Sequence, residues 1–167
     1  MTKEQSMVIE FMNLFKQQVL PKPAIPSLEV RRLRAKVILE EAIETVEALG
    51  FIVPGGIAEA LFCNCQLGEP NLVQIADGLG DSHYVGYCGT AAACGIDMEP
   101  VFAEVHRSNM SKMWTEEDLK QQKTLYPTGV VENYGGGLYR ILVDGKLIKS
   151  PSYSPADIVT VLKNQGM

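Results

Sequence analysis

The stretch from Leu28 to Leu49 reads as one long helix, yet Glu40, Glu41, Glu44 and Glu47 fall where an amphipathic helix should be apolar. With about 100° per residue and Glu40 as origin, Glu47 lies at about −20°, Glu44 at about 40° and Glu41 at about 100°. Between them sit Leu33 at about 20°, Val37 at about 60°, and Val30 and Ala48 at about 80°. The carboxylates therefore occupy the apolar stripe itself. Unpaired charge in an apolar interior is strongly unfavourable, so a fold that covers this stripe must neutralise the acids, pair them with bases or hold cations. A bound cation meets the requirement with the fewest parts.

The segments around this helix are also helical. Thr2 and Gln5 stand in capping-box spacing ahead of Val8, Phe11, Met12, Phe15 and Val19, which recur at helical intervals. Pro21, Pro23 and Pro26 end that helix, Ser27 can cap the acidic one, and Gly50 suits its C-terminal end. Phe51 to Gly68 holds Pro54 and the Gly55-Gly56 pair, then Ile57 to Cys65 as a short helix between loops. A third long helix starts at Pro70 or Asn71 and runs to Cys94 before Gly95, weakened by Gly78, Gly80, Gly86 and Gly89. Asp97 caps a fourth from Met98 to about Met113. Beyond Thr115-Glu116-Glu117-Asp118 the helical period is lost, and Tyr126 to Gly137 is rich in Gly, Tyr and Thr. Leu138 to Val143 and Lys146 to Lys149 then flank Asp144-Gly145 as a β-hairpin. Ser154 is positioned to cap a last short helix that ends before Gly166.

The expected fold is therefore mainly α, a bundle of four to five helices over residues 1–120, with a small C-terminal β-hairpin and short terminal helix over 121–167 packed on it. In 167 residues that are 46% hydrophobic, there is material for a core without staples. A net charge of −5 and the absence of any run of five like charges argue against a sequence-independent grip on nucleic acid. No leader-like apolar run opens the chain and no stretch of 18 apolar residues interrupts it, so a soluble cytoplasmic protein without membrane contact is expected. Cys63, Cys65, Cys88 and Cys94 lack the paired spacing of a zinc site and read as buried small hydrophobes. Arg31, Arg32, Arg34 and Lys36 form a basic cluster, either a solvated helix face or a holder of substrate charge.

Glu41 and Glu44 are three residues apart and Glu40 and Glu44 four, which puts their carboxylates on adjacent turns. Asp77 and Asp81 repeat the i, i+4 arrangement on the third helix. Were the two acidic faces to meet, five carboxylates would converge in a site of oxygen donors with no nearby His or Cys cluster, which suits Mg²⁺ or Mn²⁺. Magnesium held by a few carboxylates keeps waters and takes phosphate oxygens as further ligands, so hydrolysis of a phosphate ester or anhydride is the expected chemistry. Asn109 and Lys112, at i, i+3, present an amide and an ammonium suited to a phosphate chain, though an ordinary surface pair has the same spacing. His83 points about 200° from Asp81 on the wheel and reads as packing rather than as a ligand.

With Glu40-Glu41-x-x-Glu44, a second acidic pair and Asn109-x-x-Lys112 in this order, the chain resembles the all-α nucleotide pyrophosphatase superfamily of MazG proteins, dimeric dUTPases and phosphoribosyl-ATP pyrophosphohydrolase. The likeness covers about residues 3 to 115. It extends to a MazG-like subgroup through His106 to Lys112 and through a tail of the form GKxxK…YSPxD, here Gly145 to Lys149 and Tyr153 to Asp157. The resemblance implies cleavage of a nucleoside triphosphate between the α and β phosphates, with a purine such as dGTP as the expected substrate. It implies two to three Mg²⁺ or Mn²⁺ ions on Glu40, Glu41, Glu44, Asp77 and Asp81, with Glu40, Glu41 and Glu44 the catalytic acids. It assigns the phosphates to Asn109 and Lys112, with Asn13, Lys16 and Gln17 bordering the base and Lys36 among the substrate-binding groups. It implies a homodimer or homotetramer whose sites draw on more than one chain. The pattern usually has a Glu three residues before the second-helix Asp; here Gly78 stands there and Asp77 is one residue earlier. Two alternatives share these residues: phosphoribosyl-ATP as substrate, and a non-catalytic helical oligomerisation module stabilised by metal.

Overall fold

The computed structural model describes residues 3–21, 24–48, 53–54, 68–144 and 146–167. The helices are α1 (Lys3–Leu14), α2 (Leu28–Ala48), α3 (Leu72–Ser82), a π-helical continuation π1 (His83–Thr90), a last turn α4 (Ala91–Cys94), α5 (Met98–Met110), α6 (Glu116–Leu125) and α7 (Ile158–Asn164). The strands are β1 (Trp114–Thr115), β2 (Val130–Gly135), β3 (Leu138–Val143) and β4 (Lys146–Ile148). The chain is mainly helical with a small antiparallel sheet near its C-terminus, as expected. It divides into two compact units, one of residues 1–19 with 80–167 and one of residues 20–79. No helix among the described residues is long and apolar enough to cross a membrane.

In the first unit, β3 is the central strand. It pairs antiparallel with β2, with β1 through Tyr139 and Leu138, and with β4 in the register Val143↔Lys146. The predicted β3–β4 hairpin is present, with Asp144 at φ 49°, the left-handed conformation that an Asp-Gly turn needs. A second hairpin, β2–β3, turns on Gly135, Gly136 and Gly137 at φ 85°, 60° and 76°. Three consecutive left-handed residues demand glycine, which explains the triplet in a stretch that otherwise lacks a period. The sheet's core consists of Trp114 and Ile141, both fully buried, with Trp114 donating through Nε1 to Ile148 O at 2.9 Å and meeting Tyr126 edge-on at 6.0 Å. The helix α6 covers this core and was not foreseen. Its start is set by a capping box in which Thr115 Oγ1 accepts from Asp118 N (3.2 Å) and Asp118 Oδ2 accepts from Thr115 N (2.9 Å), and Ser152 donates to the same carboxylate. Residue 120 lies inside it.

Several boundaries differ from the sequence reading for identifiable reasons. α1 stops at Leu14 rather than near Val19, because Lys16 turns left-handed at φ 51° and Gln17 N donates back to Met12 O at 2.7 Å. The Lys16 ammonium is drawn to Glu132 at 2.9 Å and lies 5.6 Å from the Tyr134 ring centre. α5 ends at Met110, not Met113, as the chain enters β1. α7 is capped by Asp157, which accepts from Thr160 N at 3.0 Å, instead of by Ser154, whose N–H is committed to Ser111 Oγ at 3.0 Å. Cys88 and Cys94 are free thiols as expected, but they are exposed rather than buried, while Ala91 between them is buried. The predicted caps Ser27 and Asp97 and the helix-ending Gly95 and Gly166 are in place, and Asn71, one of the two expected starts of the third helix, caps it. Thr2, Gly50, the helix expected over Ile57 to Cys65, with Cys63 and Cys65, and Gly145 lie outside the described residues.

In the second unit, α2 and α3 line an apolar pocket of about 610 Å³ that includes Ala35 and Ile38 from α2 and Ile75 and Leu79 from α3. None of its described residues is fully buried.

The tight approach of Gly129 to the sheet core gives a direct test. A Cβ there would sit 2.8 Å from Ile141 Cγ2 and 3.1 Å from Tyr126 O. Gly129→Ala is expected to destabilise by about 1–3 kcal/mol in urea unfolding. In the Ile141→Ala background the added penalty should shrink, so that the double mutant is less than additive.

Candidate active site

The residues singled out by sequence fall on three helices. On α2, Glu41, Glu44 and Glu47 are exposed, and Glu40 is about half exposed and ion-paired with Lys36 at 3.5 Å. Of the apolar residues of the same stripe, Leu33 is 50% and Val37 36% exposed, and Val30 is half-buried. Among the described residues the charges of the stripe are not buried.

The pocket in the second unit explains why. Ala35 and Ile38 lie about 140° and 160° around α2 from Glu40, and Ile75 and Leu79 about 160° around α3 from Asp77. The two helices share the pocket through sides away from Glu40 and Asp77, whereas Glu41 lies about 60° around α2 from Ile38. Among the described residues no three His, Cys, Asp or Glu side chains gather closely enough to hold a metal. Arg31 and Arg34 line the pocket, and the Arg31 Nε is buried with no hydrogen-bond partner. Asp77 and Asp81 are exposed one turn apart on α3, and at Gly78 a Cβ would meet nothing within 4 Å, so packing does not exclude a larger residue there. His83, just beyond in π1, is exposed and stacks on Tyr87 with ring centres 4.7 Å apart.

Asn109 and Lys112 are brought together at the C-terminal end of α5, where Lys112 Nζ donates to Asn109 Oδ1 at 2.6 Å and lies 5.9 Å from the Phe11 ring centre. Asn13, on α1, is exposed; just beyond the helix Gln17 is half-buried and the Lys16 charge is engaged by Glu132.

Sequence reasoning missed what surrounds the Asn109–Lys112 end. The tail from Ser150 to Asp157 is laced onto the last turns of α5. Ser150 N donates to Lys112 O (3.2 Å), Ser150 Oγ donates to Ser111 O (3.1 Å), and Arg107 donates to Pro155 O (2.9 Å). Glu104 accepts two bonds from Arg107 and one from Asp157 N, each 2.8 Å. The tail motif was visible in the sequence, but nothing in its spacing says which helix receives it.

Residues 8–109 match the sequence profile of the family described as phosphoribosyl-ATP pyrophosphohydrolase, and the chain belongs to that family. It is thereby a pyrophosphohydrolase by class, a hydrolase acting on phosphorus anhydrides. In fold it is similar to a crystal structure from Exiguobacterium sp. 255-15 described as a "putative NTP pyrophosphohydrolase", with a TM-score of 0.63 and 18% identity over 99% of each chain. No curated protein matches the sequence.

Hydrogen bonds from Arg107 and from the Asp157 amide hold the Glu104 carboxyl down at about 2, against an ordinary 4.5. Because the folded value is depressed, the contribution of this contact is complete above about pH 4.5 and is lost as pH falls toward about 2. The melting-temperature gap between the native chain and Glu104→Gln should therefore narrow over that window. A gap that is constant with pH would contradict the assignment.

Proposed function

We propose that this chain hydrolyses a nucleoside triphosphate between its α and β phosphates, releasing the monophosphate and pyrophosphate, with a purine deoxynucleotide such as dGTP preferred. The observation that carries this reading is the joined Asn109–Lys112 pair. Its amide fixes an ammonium at a helix end bordering the segment matched by the family, and a lysine ammonium is a compact point charge suited to phosphate oxygens.

Glu40, Glu41, Glu44, Asp77 and Asp81 are the residues that would hold Mg²⁺ or Mn²⁺. The donor set fits, since it consists of carboxylates only and stands exposed at turn-adjacent positions. When bound, two to three such ions would neutralise phosphate charge and lower the pKa of a water. Of the chain's own groups, Glu40 accepts the proton of the attacking water, Lys112 holds a phosphate oxygen, and Asn13 and Gln17 border the base. Lys16 and Lys36 are already drawn to Glu132 and Glu40, and would act on substrate only by exchanging those partners.

A homo-oligomer is part of the proposal. Leu33, Val37, Ile38 and Val46 on α2 and Val73, Ile75 and Leu79 on α3 are exposed, and each forgoes part of the roughly 1.5–3 kcal/mol that full burial of such a side chain contributes. A second copy covering the acidic stripe of α2 would bury its apolar members and bring further carboxylates toward it. Sedimentation of the native chain as a monomer at micromolar concentration would speak against this.

The decisive assay is pyrophosphate release across ribo- and deoxynucleoside triphosphates with Mg²⁺ or Mn²⁺. Glu44→Gln should lower kcat by about 100-fold or more, while a metal-stapled module without catalysis predicts lost stability and no turnover in either protein. Saturating Mg²⁺ should raise the melting temperature, by the equivalent of about 2.7 kcal/mol at a hundred times its Kd. The family match keeps phosphoribosyl-ATP as the second reading. Turnover of that compound, with none of any triphosphate, would select it.

A further inference from the structure

The basic cluster of α2 divides in the structure. Arg32 is exposed and Lys36 is paired with Glu40, whereas Arg31 and Arg34 line the cavity of about 610 Å³ between α2 and α3. Arg31 lies about 180° around α2 from Glu40, about 140° from Glu44 and about 80° from Glu41. The cavity is therefore a different place from the acidic stripe, and it is built entirely within the unit of residues 20–79.

Arg31 is half-buried, and its Nε–H is fully buried without a hydrogen-bond acceptor. Among the described residues no carboxylate is paired with its guanidinium either. A buried N–H left unpaired is costly, and a guanidinium does not shed its proton to escape that cost. The described lining of the cavity contains no acid that could relieve it. What it adds is further donors. Asn71 Oδ1 is already taken by the amides of Val73 and Gln74, at 3.0 and 3.2 Å, which leaves its own N–H groups for a ligand. The wall supplied by Ile38 of α2 and by Ile75 and Leu79 of α3 is apolar.

An unpartnered cation beside an apolar wall calls for an anion that carries its own apolar body. One such guanidinium matches one negative charge, and a planar carboxylate is the group that its fork takes through two parallel N–H···O bonds. The volume is that of a small-molecule site.

We infer that the α2–α3 cavity binds a small organic monocarboxylate with an apolar body, the carboxylate on Arg31 and Asn71 and the apolar part against Ile38, Ile75 and Leu79. This site is separate from the one assigned to the triphosphate and stands or falls without it.

The test uses three probes that share one apolar body: naphthylacetate, its neutral amide naphthylacetamide, and the cation naphthylethylamine. Their binding to the native full chain is measured by titration calorimetry. The carboxylate should bind at least about ten-fold more tightly than the amide, and the amine more weakly than both. Arg31→Met should weaken carboxylate binding by about ten-fold or more and leave the amide unchanged, and Arg31→Lys should restore part of the difference. Because the empty cavity holds an unpaired N–H, Arg31→Met without ligand should melt no lower than the native chain. Should that variant fail to fold, the preference of the native chain for carboxylate over amide decides alone. Equal affinity for the two would mean an adventitious additive only and would overturn the inference, as would an Arg31→Met protein that keeps the preference. Absence of binding to the native chain would overturn it too, and conversion of an oligomer to monomers by Leu79→Asp would then assign the cavity wall to a second copy.

Discussion

The guanidinium of Arg107 organises the C-terminal third of the molecule. One of its edges is held by the Glu104 carboxylate one turn earlier on α5, and the charge so fixed reaches across to the Pro155 carbonyl. Glu104 in turn takes the amide of Asp157, the residue that caps α7. A single i, i+3 pair, of the kind that contributes only a few tenths of a kcal/mol on a free helix, thereby orders the strap and the start of the last helix. Ser111 and Ser150 repeat the tie a turn later, where α5 ends. Through this lacing Ser150 reaches the Ser111 and Lys112 carbonyls at the end of α5.

The rest of that unit follows from β3. Its Ile141 is fully buried, as is Trp114 of the neighbouring β1, and Gly129 approaches closely enough that no side chain fits. α6 is locked above it by a capping box that also receives Ser152 from the tail. Sheet, α6 and tail thus share hydrogen bonds rather than merely touching. The unit of residues 20–79 is built differently, with an apolar pocket between α2 and α3 and no fully buried described residue. Among its described residues the helices show caps at Ser27 and Asn71 and a local Lys36–Glu40 pair.

Much of the helical part was legible because caps and periodicity agree. Ser27, Asn71 and Asp97 begin helices and Gly95 ends one where expected, since each supplies a local hydrogen bond or a left-handed turn that needs no tertiary context. Asp144-Gly145 announced its hairpin for the same reason. α6 was missed although Thr115 and Asp118 hold capping-box spacing, because its charged sequence hides the buried Asp118 and Gln122. The end of α1 was misplaced because a distant Glu132 holds Lys16 in a conformation that its own type does not favour. For the site, the Asn109–Lys112 pair could be read from its spacing. The acids could not: their wheel positions identify a stripe, but whether two stripes face each other depends on how α2 and α3 pack, which the periodicity of neither helix encodes.

The division of the chain also bears on how it folds. The first unit is discontinuous: the chain leaves it at residue 19 and returns at residue 80. Lys3 meets Glu99 and the Phe15 carbonyl meets Arg140 only after the whole of residues 20–79 has been looped out. Closing such a loop carries an entropic penalty that rises slowly with its length, while the contacts among α5, the sheet, α6 and the tail are made within one continuous stretch. That stretch is therefore the natural nucleus, and the N-terminal helix is the last piece to dock and the first to leave.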